Sequence, residues 1–273
     1  MPAIPGASTT TTVQTNEQIN VHGLLPRLSF MSSTTFLGAT LGGTLLIPLV
    51  NKKSNATVTG ASTTATSPLP AANNAAIAAG VNPLVVAGVQ QVASANTNSN
   101  FGVGDPEFSP ILRWSTEASQ TLFVLTTVMP LGDYEKSRAA NPGAGKFWTF
   151  RPAVQFSYIG DGWDAGTRLA YSYNTRNVET KYKSGSYVNW DLAVMKSVSE
   201  STRVGVTGYA VDQLTKDSTS LASAQDYIDT FGAQDAQAAE ARETSTLDQK
   251  GRVFGLGPEV AYIVGPAIRP QTA

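Results

Sequence analysis

Cysteine is absent from the 273 residues, which excludes disulfide scaffolds, thiol nucleophiles and Cys-ligated zinc or iron–sulfur centres. Histidine occurs once, as His22 in a polar stretch read as a solvated loop, so neither a His-based triad nor a multi-His metal site can be assembled. Charge is scarce as well. Asp, Glu, Lys and Arg make up 14% of the chain, against roughly 25% in soluble domains. A formal net charge of −1, with no cluster of basic residues, leaves nothing to displace counterions from phosphate and argues against nucleic acid as a partner. No apolar run reaches the length of a membrane-spanning helix: the longest candidate, Phe36 to Val50, is broken by Gly38, Gly42, Gly43 and Pro48. The opening Met1 to Thr10 has neither a basic nor an apolar region of the kind a signal peptide needs. Ser, Thr, Asn, Gln, Gly and Ala fill the space that charge leaves. That mixture fits a β protein with uncharged polar surfaces and long loops, and also an exported adhesin or fibre.

Beyond residue 105 a period of two recurs segment after segment. Trp148, Phe150, Pro152, Val154, Phe156 and Tyr158 alternate with Thr149, Arg151, Ala153, Gln155 and Ser157. Ala165, Thr167, Leu169, Tyr171 and Tyr173 alternate with Gly166, Arg168, Ala170, Ser172 and Asn174. The same pattern sets Val188, Trp190, Leu192 and Val194 against Asn189, Asp191 and Ala193, and Phe254, Leu256, Pro258, Val260 and Tyr262 against Gly255, Gly257, Glu259 and Ala261. Each run is about nine to thirteen residues long, enough to cross a tilted bilayer and longer than the usual soluble strand. The predicted fold is all-β: an antiparallel transmembrane β-barrel with about nine strands visible, and about 10–12 expected in the complete protein because bacterial single-chain barrels have an even number.

Connection lengths support this reading. Ser115 to Gln120, Gly160 to Asp164 and Ser199 to Thr202 are short, whereas Leu131 to Lys146, Thr175 to Ser186 and Leu214 to Gly251 are long. Strict alternation is what short periplasmic turns and long external loops produce. Tyr134, Trp148, Tyr158, Trp163, Tyr173, Tyr182, Tyr187 and Tyr262 fall near strand ends, where a barrel places its aromatic girdles.

Residues 1–23 form a disordered or extended segment, and residues 24–265 a single barrel domain with long external loops at 51–100 and 215–250. Arg27 to Ser33 and Thr35 to Pro48 make a hairpin. The Ala-rich stretch Ala71 to Ala95 carries one or two short helices interrupted at Pro83, and Ser220 to Glu243 carries another. Residues 266–273 are a tail that stops before the last strands, and the barrel reading requires a leader removed from, or upstream of, Met1.

Candidate functional residues are the polar ones of the alternating pattern: Arg113, Arg151, Gln155, Arg168, Asn189, Asp191 and Glu259. An Arg near the middle of a lipid face would cost about 2–4 kcal/mol, so these positions are expected to face the lumen, as pore-lining residues or as interstrand ion pairs. Asp105 and Asp133 follow glycines, where turn chemistry accounts for them. Gly102-Val-Gly-Asp105 has no following Gly-Lys-Ser/Thr and is not a phosphate loop. The acidic residues Asp226, Asp229, Asp235, Glu240 and Glu243 lack the compact spacing of a calcium loop and read as a solvated helix face. No catalytic, cofactor or metal site is expected.

Several motifs resemble one known family, the outer-membrane proteins of the MetA pathway of phenol degradation. They are Gly102-Val-Gly-Asp-Pro-Glu-Phe-Ser-Pro110, Met129-Pro-Leu-Gly-Asp-Tyr134, Asn141-Pro-Gly143, Tyr171-Ser-Tyr-Asn174, Asn177, Thr180-Lys-Tyr182, Ser184-Gly185, Gly208-Tyr209, Gln213, Asp217 and Gly257-Pro258. The resemblance runs from about Phe101 to Pro266. It implies a bacterial outer-membrane barrel, not an enzyme, in contact with membrane lipid and lipopolysaccharide, for passive uptake of small hydrophobic or aromatic compounds. Two other readings stay open: a structural or surface-interaction barrel without a conducting lumen, and a soluble exported β-sandwich binding module.

Overall fold

A computed structural model describes residues 8–66, 68, 70–95, 97–138, 140–233, 235–247 and 249–262; the expected tail at 266–273 lies outside them. In chain order the elements are β1 (Ser8–Leu24), β2 (Arg27–Phe36), β3 (Ala39–Leu46), β4 (Leu49–Thr66), α1 (Ala71–Ala95), β5 (Asn98–Val103), β6 (Glu107–Ser115), β7 (Ser119–Val128) and β8 (Thr149–Gly160). There follow β9 (Trp163–Asn174), β10 (Tyr182–Lys183), β11 (Tyr187–Ser197), β12 (Thr202–Gln213), β13 (Ser218–Thr219), α2 (Ala224–Phe231), α3 (Ala236–Leu247) and β14 (Arg252–Tyr262). The chain forms two compact units, and it crosses between them at Leu24/Leu25, Pro48/Leu49, Gly104/Asp105, Gly132/Asp133 and Gly143/Ala144.

The first unit is a three-stranded antiparallel sheet, β1-β4-β5, with α1 packed on β4. Residues 51–100, read from sequence as one external loop, are thus mostly regular structure. The same holds for Ser8 to Leu24, which pair with β4 from Ser8↔Thr66 to Leu24↔Leu49 around a bulge between Gln14 and Thr15. Thr and Val, poor in any core-forming pattern here, are nonetheless good strand formers, and His22 sits in this strand opposite Asn51 rather than in a loop. Helix α1 runs unbroken through Pro83. Proline removes one backbone donor and crowds the carbonyl of Ala79, but the surrounding alanines have the highest helix propensity. By length and composition Ala71–Gln91 is long and apolar enough to cross a membrane, although Asn73, Asn74 and Asn82 interrupt its apolar run. In the 133–143 loop Arg138 bridges Asp133 at 3.2 Å and Glu135 at 3.1 Å. The Ser137 hydroxyl, and then Arg138, hold the Glu135 carboxyl below its ordinary range.

The second unit is built on an antiparallel sheet of nine strands in the order β2-β3-β6-β7-β8-β9-β11-β12-β14, the number expected from the sequence, with β10 and β13 paired as a separate two-stranded sheet. Two of its hairpins turn on two residues with positive φ, Leu37 (51°) with Gly38 (74°) and Asp161 (52°) with Gly162 (73°). That is the geometry that matches strand twist. All four short turns (β2–β3, β6–β7, β8–β9, β11–β12) lie at one end, and the long connections at the other, as the alternation predicted. The 215–250 loop carries β13, α2 and α3. Tyr227, Ala236 and Ala239 form a small core between the helices with Leu221 and Phe231.

The sheet is inverted relative to a soluble one. Its apolar face is open, with Leu169 55% and Leu256 76% exposed, while on the polar face Ala170 and Ser172 are 1% and 0% exposed. A β-sandwich would bury its apolar faces against each other; here the nine strands form one continuous sheet, and no second sheet among the described residues of this unit packs on that face.

Candidate functional site

Because side chains alternate along a strand and neighbours pair in fixed register, the polar face resolves into rows crossing the sheet. All seven candidate residues lie on it. One row runs Thr40, Arg113, Leu122, Gln155, Arg168, Asp191, Tyr209, Gly255. It brings together four of the seven residues, from four different strands. Arg168 Nη1 lies 3.6 Å from Asp191 Oδ2, and Asn189 Nδ2 donates to both carboxylate oxygens of Asp191 at 3.1 Å. Such a half-exposed pair contributes about 0–1 kcal/mol to stability, so orientation is its main effect. Gln155, Gly166, Arg168, Asp191, Ala193 and Tyr209 line a hollow of about 400 Å³ here.

Toward the long-loop end the next row is small and apolar: Ile111, Val124, Ala153, Ala170, Val211 and Val253, with Asn189 its polar member. Beyond it comes a second polar row. Ser109 and Thr126 hydroxyls share a 2.9 Å hydrogen bond, Thr126 faces Arg151, and Arg151 Nε donates to buried Ser172 Oγ at 3.1 Å. Tyr187 and Gln213 continue that row. Glu259 stands apart from the other candidates, opposite Gly205 toward the short turns, with no side-chain partner among the described residues. A pair the sequence reading missed, Arg203 Nη1 to Asp164 Oδ2 at 2.7 Å, lies at the same end. The alternation places both residues on the polar face, but only the register makes them neighbours.

The long-loop end is tied by a hydrogen-bond knot that no periodicity announces. Asp217 accepts from the Tyr182 hydroxyl, from the Gly185 N–H at 2.7 Å and from Gln213 Nε2 at 2.6 Å. Thr215 Oγ1 accepts from the Ser186 N–H at 2.8 Å, Gln213 Oε1 accepts from the Gly251 N–H at 3.0 Å, and Thr149 Oγ1 donates to Asn174 Oδ1 at 2.7 Å. At Gly185 any Cβ would overlap the Thr215 carbonyl, so only glycine lets the loops close here. Tyr187, Val211, Gln213, Asp217, Arg252 and Val253 border a cavity of about 370 Å³ beside the knot.

Asp105 acts as a long-range staple rather than within its own turn, accepting from the Gly132 N–H at 2.9 Å and the Ala144 N–H at 2.7 Å. Of the acidic residues at 226–243, Asp226 closes a capping box with Ser223, and Glu243 accepts from Tyr227.

On the apolar face Trp148, Tyr158, Trp163, Tyr173 and Tyr262 occupy positions near strand ends. The other three aromatics of the expected girdle are elsewhere: Tyr134 belongs to the first unit, Tyr182 to the knot, and Tyr187 faces the polar side opposite Ser172. On β9 Trp163 and Tyr173 are ten residues apart, or ~33 Å of strand. At a tilt of about 40° this is about 25 Å along a membrane normal, the height of the apolar band of outer-membrane barrels.

No curated protein matches the chain. Eight chains of solved structures do. One is the COG4313 outer membrane channel from Pseudomonas putida F1, at 13% identity and a TM-score of 0.48, covering 80% of this chain and 76% of that one. A family model matches residues 4–268, which extends the resemblance found in the motifs to nearly the whole chain. The chain therefore belongs to the family described as "Putative MetA-pathway of phenol degradation".

Proposed function

We propose that this protein is an outer-membrane β-barrel that admits small hydrophobic or aromatic compounds by passive diffusion, with the polar face of the nine-stranded sheet lining its lumen. The observation that carries the reading is the order of rows on that face. A solute entering from the long-loop end meets the Arg151 row, then a row of small apolar side chains, then the Arg168–Asp191 row. An apolar ring between two polar ones favours molecules with a greasy body and a polar group over strongly hydrated ions, because only the former recover in the ring what they lose in desolvation. The exposed apolar face and its aromatic spacing support contact with membrane lipid and the lipid part of lipopolysaccharide.

The test is vesicle swelling. Liposomes containing the full chain, placed in isotonic phenylalanine, a net-neutral aromatic solute that needs no counterion, are expected to swell faster than protein-free liposomes. Equal rates would refute transport and leave a barrel without a conducting lumen.

A further inference from the structure

At the short-turn end of the polar face, away from the Arg168–Asp191 hollow, lies a separate cavity of about 200 Å³ whose lining includes Arg113, Ser115, Glu117, Ala118, Ser157 and Ile159. Two polar atoms of its lining residues, Arg113 Nε and Ser157 Oγ, are buried and have no hydrogen-bond partner among the described residues. Unpaired buried donors are rare, and each calls for an explanation. That both belong to residues lining one cavity is more informative than either alone. The other arginines of the β6–β14 polar face are engaged: Arg151 with Ser172, Arg168 with Asp191, Arg203 with Asp164. Among the described residues Arg113 makes neither a hydrogen bond nor an ion pair.

We infer that this cavity is a binding site for a small organic monocarboxylate, held by Arg113 and Ser157. A carboxylate is an acceptor with two oxygens, so with the two side chains turned toward the cavity it can take a charge-assisted hydrogen bond from the guanidinium and a second from the hydroxyl. Glu117 is a second charge on the lining and opposes dianions. Ala118 and Ile159 offer apolar surface to the remainder of the ligand, which inorganic anions lack. The volume falls below the roughly 300–1,000 Å³ of drug-sized pockets, which limits the ligand to a small molecule. The site goes beyond the transport reading and does not depend on it, since binding is measurable whether or not the lumen conducts.

The experiment is isothermal titration of the full chain in detergent micelles with three probes: benzoate, benzyl alcohol as its neutral counterpart, and inorganic phosphate. Saturable benzoate binding is expected, with the other two weaker by about tenfold or more. Arg113→Gln is expected to weaken benzoate about tenfold, and Ser157→Ala by several-fold. Lys196→Gln, which removes a cation from the apolar face at the same end, is expected to change nothing. Should Arg113→Gln fail to fold, Ser157→Ala removes only one oxygen and carries the test. Absence of benzoate binding, binding indifferent to Ser157→Ala and to folded Arg113→Gln, phosphate binding as tightly as benzoate, or an equal loss in Lys196→Gln would each overturn the assignment.

Discussion

Placing a charge on each face of the sheet separates a membrane-spanning sheet from any soluble arrangement. Leu169 sits on the apolar face of β9, 55% exposed, six residues beyond Trp163 and four before Tyr173. At about 2.5 Å of rise per residue along the normal of a tilted strand, that is ~15 Å from one girdle and ~10 Å from the other, close to the midplane. An arginine there costs about 2–4 kcal/mol, whereas near the interfaces it would cost about 0–1. Thr207, on the polar face of β12 opposite Ala193 and Gly257, provides the comparison at similar depth. Leu169→Arg is expected to lose about 2–4 kcal/mol of unfolding free energy in lipid vesicles, and Thr207→Arg to stay within about 0.5. Tryptophan fluorescence through a denaturant titration reads both, since Trp190 lies opposite Leu169 and Trp163 is on the same strand. Equal losses, or a tolerated Leu169→Arg, would refute the argument that the open apolar face meets lipid.

Other consequences are more local. Leu37 holds φ at 51° with its side chain 74% exposed, so Leu37→Asn removes left-handed strain without losing packing, and should raise stability by about 1 kcal/mol in the same titration. Asp217→Asn removes the charge that three donors of the knot address, and is expected to cost about 1.5–3 kcal/mol locally. Faster limited proteolysis within 175–186 and 214–223 would register it, and an unchanged pattern would contradict the knot. The Asp226 carboxyl is held below its ordinary range, first by the Ala222 N–H and then by Ser223. A lowered folded value means its contribution to the α2 cap is complete above the unfolded pKa of about 3.9 and is lost as pH falls through the folded value. The protection of the Ala224 to Tyr227 amides, measured relative to their intrinsic exchange rate at each pH, is expected to fall on that acid limb and to be independent of pH in Asp226→Asn.

Most of the second unit is legible in the sequence because its physics is periodic. Alternation assigns Phe156 and Leu169 to one face and Gln155 and Arg168 to the other without reference to partners, and the spacing of turn residues such as Asp161-Gly162 sets the hairpins. Register is different in kind. That Arg113, Gln155, Arg168 and Asp191 share a row depends on how four strands slide against one another, which no single segment encodes. The knot follows the same logic: Tyr182, Gly185, Gln213 and Asp217 match a family motif, yet their common role appears only when two loops meet. In the first unit, β1 and β4 carry Thr, Asn and Lys with little apolar alternation, so backbone pairing forms strands there without a periodic signature. Pro83 misleads in the opposite direction, since a local breaker is outvoted by the alanines around it.

A chain without cysteine is a ready background for the most direct test of an inverted, membrane-spanning sheet. Single cysteines placed in turn from Ala165 to Tyr173 on β9, in protein reconstituted into lipid vesicles, can be read with a water-soluble thiol reagent and, after fluorescent labelling, with a lipid-phase quencher. The account predicts a period of two: positions 166, 168, 170 and 172 react with the aqueous reagent, while 165, 167, 169, 171 and 173 respond to the lipid quencher. Uniform aqueous reactivity along the strand, or lipid quenching at Arg168 and Ser172, would contradict it.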